Sequence, residues 1–196
     1  MPPIVDVIIP VYRGLAETQR CVESAIAAHS LVAREIVVVD DASPEPALSA
    51  WLAGLSREGS ITLIVHPENR GFVGAANSGM RLHPDRDVIL LNADTEVNAG
   101  WVDRLAAHAA REARVGTITP FSNNATICSY PRFCEVNALP AGESTASLDE
   151  HFAAANAGKS FEIPVGVGFC LYIRRECLDE IGAFDEAKFG APPPAI

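Results

Sequence analysis

The sequence predicts an α/β fold: one doubly wound, mostly parallel sheet with helices on both faces. Two observations lead there. From Val5 to Ala109, short β-branched runs alternate four times with segments of helical spacing. Such βα units in series require parallel strands joined by right-handed crossovers. Each apolar run also turns polar abruptly, most sharply where Val88-Ile89-Leu90-Leu91 gives way to Asn92-Ala93-Asp94. Four consecutive apolar residues mark a strand buried on both faces, and in such sheets ligands bind just past the strands' carboxyl ends.

In order, Val5 to Val11 is the first strand, and the next segment places Leu15, Val22, Ala25 and Ile26 on one helical face. Glu35 to Val39 is the second, ending at Asp40-Asp41-Ala42-Ser43. Ser43-Pro44-Glu45-Pro46 enters a helix carrying Leu48, Leu52 and Leu55 that stops near Gly59. Ile61 to Val65 is the third strand, closed by His66-Pro67-Glu68-Asn69-Arg70-Gly71. The helix from Val73 to about Arg81 is rich enough in Ala and Gly to lie close against a sheet. After the fourth strand, Trp101, Val102, Leu105 and Ala109 face inward. Beyond residue 112 the pattern weakens to a strand at Val115 to Pro120, a loop at Val136 to Thr145, and a short helix at Leu148 to Ala157 with His151 on its exposed face.

The chain of 196 residues is long enough for one domain with a sizeable core, and its 48% hydrophobic and 20% charged residues are globular proportions. A net charge of -10 without clustered Lys and Arg argues against a nucleic-acid surface. The five cysteines are scattered, with no C-x-x-C spacing, and read as reduced thiols. No signal-peptide pattern opens the chain and no apolar run approaches the ~20 residues that span a bilayer. The expectation is a cytoplasmic protein that visits the inner face of a membrane only peripherally, through a partner.

Several chemistries are disfavoured. The first strand is followed by Val11-Tyr12-Arg13-Gly14 rather than G-x-G-x-x-G, no P-loop lysine is present, and Ser43, Cys128 and Cys170 lie in no G-x-S-x-G elbow.

Val7-Ile8-Ile9-Pro10-Val11-Tyr12, Val38-Val39-Asp40-Asp41-Ala42-Ser43, Asn69-Arg70-Gly71-Phe72 with Ala76-Asn77-Ser78-Gly79, and Leu91-Asn92-Ala93-Asp94-Thr95-Glu96-Val97 with Gly100-Trp101 occur in that order. Together with Gly168 to Arg175 and Gly182 to Glu186, they resemble a family 2 glycosyltransferase of the Rossmann-like, nucleotide-binding GT-A fold. The likeness spans residues 4 to about 190.

The resemblance implies a transferase that moves a sugar, with inversion, from a nucleoside diphosphate sugar (a UDP- or dTDP-sugar) to a hydroxyl of a glycan or lipid-linked acceptor. Bacterial surface polysaccharide assembly is the implied setting. It implies Mn²⁺ or Mg²⁺ on Asp94, the last position of the family's D-x-D motif. Asn92 at the first position departs from that motif; its amide can bind a ribose hydroxyl but brings no charge. By the same match, Asp41 and Asp40 would accept from the ring N–H of uracil, and Pro10, Val11 and Tyr12 would frame the base. Arg70 would meet the diphosphate, and Gly166, Gly168 and Phe169 would floor the sugar. Alternatives stay open: an Asx-turn or N-cap for Asp40, a solvated surface Arg70, and strand-start packing for Gly166, Gly168 and Phe169.

Past Phe184-Asp185-Glu186 the family continues to an acidic cluster holding the general base, whereas here Ala191-Pro192-Pro193-Pro194-Ala195-Ile196 follows. The expectation is a GT-A domain over residues 1–190, incomplete at its C-terminus, and a disordered Pro-rich tail over 191–196. A donor-binding but catalytically dead fragment is then the alternative to an active transferase, with self-association through uncovered apolar surface. A sugar-nucleotide nucleotidyltransferase is a further alternative, poorly served by Arg13-Gly14 as a phosphate loop.

Overall fold

The computed structural model describes residues 4–190. The tail expected at 191–196 lies outside the described residues. Among these, the strands β1 (Val5–Val11), β2 (Arg34–Asp40), β3 (Thr62–Val65), β4 (Val88–Leu91), β5 (Thr117–Ile118) and β6 (Cys170–Ile173) form one sheet in the order β3-β2-β1-β4-β6-β5. Crossovers α1 (Leu15–Ala27), α2 (Pro46–Arg57) and α3 (Gly71–Met80) join the first four strands, whose pairings are all parallel. After α4 (Trp101–Arg111) come β5, α5 (Thr145–Ala155), β6, α6 (Arg175–Ile181) and α7 (Glu186–Phe189).

The sheet is mixed. β6 runs antiparallel to both β4 and β5, with Leu91 opposite Cys170 and Ile118 opposite Tyr172. The strand expected over Val115 to Pro120 shrinks to Thr117–Ile118, because only those two residues find partners on β6.

Side-chain alternation sorts the strands between two cores. Val7, Ile9, Val38, Ile89 and Leu91 face α1, α2 and α4, where Val22, Leu48, Leu52, Val102 and Leu105 cover them. Ile8, Val37, Val39, Val88 and Leu90 face α3 and α6, against Ala75, Ala76, Met80 and Leu178. The apolar run of β4 is therefore buried on both sides. Trp101, Val102, Leu105 and Ala109 all point inward, as their spacing predicts, whereas Ile26 is 36% exposed and Cys21 takes the inward position instead.

The small residues of α3 set its distance from the sheet. A Cβ on Gly79 would lie 2.4 Å from Cγ2 of Ile8, so the helix backbone rests directly on β1.

Candidate functional site

The strand order brings the carboxyl ends of β3, β2, β1 and β4 into one row. Because β6 is antiparallel, its beginning joins the same edge, and the Asn92 N–H donates to Phe169 O at 2.9 Å. Residues distant in sequence thus meet beside Asn92. An open cleft of about 430 Å³ lies there, lined by Asn92, Gly168, Phe169, Val167, Phe72 and the Asn124–Thr126 turn.

Asp94 stands at this edge, exposed, with no hydrogen-bond or ion-pair partner among the described residues. The loop carrying it is fixed from behind: Asn92 O accepts from Thr95 N–H and from the Cys21 thiol, and the Val97 N–H donates to Ser24 Oγ. Burial pushes the Cys21 thiol up to about 12, with Asp94 and Glu96 adding to the rise, so it serves as a neutral donor rather than a nucleophile. The donor set fits a hard cation, since Asp94 is an exposed carboxylate without a partner among the described residues, two positions beyond Asn92, which lines the cleft.

Gly168 has open space where a Cβ would sit, and Phe169 packs against the core below the cleft. Gly166 is elsewhere: a Cβ there would come within 2.8 Å of Leu171 Cδ1, so its smallness serves packing at the start of β6.

At β1, Val11 is buried in the core and offers the edge only its backbone, whose carbonyl accepts from Asp41 N–H at 2.8 Å. Pro10 is partly exposed, and the Tyr12 ring is exposed with the Arg13 guanidinium 5.1 Å from its centroid.

The two aspartates at the end of β2 have different duties. Both Asp40 oxygens are engaged inside the protein, accepting from Ser43 N–H at 2.8 Å and Ser49 Oγ–H at 2.6 Å. This is the turn-shaping alternative for Asp40. Asp41 Oδ1 accepts from Arg70 N–H at 2.9 Å and meets His66 Nδ1 at 2.6 Å, while Oδ2 has no partner among the described residues. Immediately after them Ala42 adopts φ +55°, a costly left-handed conformation for a residue with a Cβ.

Arg70 is half-exposed but paired within the protein. Its Nη2 donates to Glu186 at 2.8 Å and its Nη1 reaches Ser78 Oγ at 3.3 Å. Glu186 also accepts from Asn77 Nδ2 and Arg81, and buried Asn77 grips the Phe184 backbone through both its amide atoms. The Asn77 hydrogen bond, with the Arg81 and Arg70 guanidiniums, brings the Glu186 carboxyl down to about 2. A depressed carboxyl stabilises the fold fully above its ordinary pKa of about 4.5 and loses that contribution as pH falls toward 2. Melting temperatures of the wild type and Glu186→Gln should therefore differ most near neutrality, converge below pH ~4.5 and coincide near pH 2. A gap independent of pH would show that the charge is not what holds α7.

Two phosphate or metal sites of other kinds are occupied by the protein itself. The N–H groups of Gly14 and Leu15, which open α1, donate to the Glu45 carboxylate at 3.0 and 3.2 Å, leaving no phosphate cradle there. At the opposite edge Asp6, Glu35 and His83 hold ligand atoms within 4.8 Å of one another. The Arg86 guanidinium already bridges Asp6 and Glu35 at 2.9 and 2.6 Å, so this triad carries its own cation.

His66, Asn77, Ser78 and the Asn124–Thr126 turn were not among the residues singled out by sequence. Asn77 and Ser78 stand inside a motif already noticed, and His66 follows a strand end as Asn69 and Arg70 do, so the same edge rule reaches it. The Asn124 turn lies in Phe121-Ser122-Asn123-Asn124-Ala125-Thr126, whose polar, turn-rich composition marks a loop but does not assign it to this edge.

The model of the family described as glycosyl transferase family 2 matches residues 6–182. A human protein, probable polypeptide N-acetylgalactosaminyltransferase 8, is 28% identical over 206 aligned positions covering 94% of this chain and 31% of its own. Among solved structures, the mannosyltransferase PcManGT of Pyrobaculum calidifontis, in complex with GDP-Man and Mn²⁺, superposes with a TM-score of 0.63 at 20% identity. The S. aureus TarS 1-349 structure does so at 0.62 and 15%. The described chain covers 95% and 93% of itself in these superpositions but only 48% and 50% of those chains, so it spans about half of their length. Sheet order, motif order and family match agree: the chain belongs to glycosyltransferase family 2 and has the GT-A type of α/β fold.

Proposed function

We propose that this domain binds a nucleoside diphosphate sugar along the carboxyl edge of the sheet and transfers the sugar, with inversion, to an acceptor hydroxyl. The observation that carries this is the exposed Asp94 carboxylate, without a partner among the described residues, two positions beyond the Asn92 that lines the cleft at the end of β4. Tyr12 and Pro10 border the base, Asp41 Oδ2 accepts from its ring N–H, Asn92 meets the ribose, and Gly168 and Phe169 lie under the sugar. A uracil or thymine nucleotide suits a single acceptor oxygen facing a ring N–H. Asp94 would hold Mn²⁺ or Mg²⁺, which supplies charge neutralisation on the diphosphate as it leaves. We assign the acceptor to a glycan or lipid-linked saccharide of surface polysaccharide assembly, on family resemblance.

A second reading, donor binding without efficient transfer, is favoured by one feature. Inversion needs a carboxylate to take the acceptor proton, yet Asp185 caps α7 by accepting from Ala187 and Lys188 N–H, and Glu186 is held by Asn77, Arg70 and Arg81. Neither serves as that base. A nucleotidyltransferase has less support, since Glu45 fills the N-terminus of α1.

Calorimetry with UDP, dTDP and GDP, with and without Mn²⁺, tests donor binding: one nucleotide should bind, and only with the metal. Product analysis separates the readings, with free nucleoside diphosphate for transfer, none for binding alone and pyrophosphate for nucleotidyl transfer. Metal-independent binding of all three alike would overturn the proposal.

A further inference from the structure

We infer that His66 is a positioning residue for nucleotide recognition: it clamps one oxygen of Asp41 so that the other faces the base. This rests on the base-reading role proposed for Asp41.

His66 follows β3, is 7% exposed, and is anchored by its own N–H to Asp40 O at 2.9 Å. Its ring spans two elements. Nδ1 lies 2.6 Å from Asp41 Oδ1 and Nε2 lies 2.9 Å from Ser78 Oγ on α3, while Ser78 Oγ in turn reaches Gly74 O at 2.9 Å. A carboxylate only accepts, so Nδ1 carries a proton and donates to Asp41. The second clamp on Oδ1 is the Arg70 N–H. With both donors on Oδ1, the carboxylate is fixed in rotation, and Oδ2 is the oxygen left to take a hydrogen bond from a ligand. A carboxylate free to rotate would pay entropy on binding and would also recruit water, so preorganisation here governs affinity for bases that present a ring N–H. Asp41 is placed at the base and not at the anomeric carbon, so the effect belongs to donor binding rather than to bond breaking.

The test uses UDP and GDP alongside 3-methyl-UDP and 1-methyl-GDP, which lack the ring N–H. In the full chain, His66→Ala should weaken the preferred nucleotide by about tenfold to a hundredfold, the range of a charge-assisted hydrogen bond. Affinity for the methylated counterpart should stay unchanged, and donor KM should rise while kcat holds. His66→Asn, whose Nδ2 occupies the place of Nδ1, should recover most of the loss, and His66→Ala combined with Asp41→Ala should be no worse than Asp41→Ala. If Asp41→Ala weakens binding but His66→Ala does not, or if His66→Ala weakens methylated and unmethylated nucleotides equally, the positioning role is overturned and the base-reading role stands. If Asp41→Ala itself changes nothing, base reading by Asp41 is overturned and the clamp with it.

Discussion

Asp94→Ala is expected to abolish metal-dependent nucleotide binding and to lower turnover on a nucleotide sugar by roughly a thousandfold. The magnitude follows from electrostatics: a divalent cation on a leaving diphosphate supplies several kcal/mol, and each 1.36 kcal/mol is tenfold in rate. Asp94 is a single carboxylate, since its motif partner is Asn92 and the described His, Cys, Asp and Glu residues gather no metal-ligand triad around it. The neighbouring carboxylate, Glu96, is paired with Arg20 at 3.3 Å, so the loss should be large. The converse substitution, Asn92→Asp, adds a second carboxylate to the same turn and should tighten Mn²⁺. Calorimetric titration of Mn²⁺ with UDP present, alongside turnover, checks both. Unchanged metal dependence in Asp94→Ala would move the cation site elsewhere on this edge.

Gly79→Val should lower the melting temperature by roughly 6 to 12 °C, the equivalent of about 3 kcal/mol in a chain of this size. Opposing terms decide the sign. Replacing a helix glycine by valine gains a few tenths of a kcal/mol in propensity, but the new Cβ would sit 2.4 Å from Ile8 Cγ2 and 3.3 Å from Ile8 Cβ. Because Ile8 is fully buried in β1, no rotamer change clears its own Cβ, and α3 must lift from the sheet. Ser78 and Asn77 ride on the same turn, so loosened contacts to His66 and α7 should accompany the loss. Gly54→Ala in α2 is the contrast: its nearest neighbour is the end of Arg57 at 4.0 Å, and this substitution should be neutral or stabilise by up to about 1 kcal/mol. A calorimetric melt of the two variants distinguishes steric from propensity effects, and equal melting temperatures would mean that α3 does not rest on β1.

The four βα units, the two-faced burial of β4, the inward face of α4 and the edge at which Asn92 and Asp94 lie are legible in the residue pattern. Periodicity and abrupt polarity report burial by whatever neighbour comes, and they are local signals. Tertiary structure alone decided which partner came. Asp40 and Asp41 are adjacent and chemically alike, yet one is used up by Ser43 and Ser49 and the other is held by His66 and Arg70. Arg70 reads as a diphosphate ligand or a surface charge until Glu186, 116 positions away, is found paired with it. The antiparallel entry of β6, which places Phe169 against Asn92, likewise depends on a pairing across 77 residues of chain. Such pairings depend on how distant elements orient in space, and no local spacing encodes that orientation.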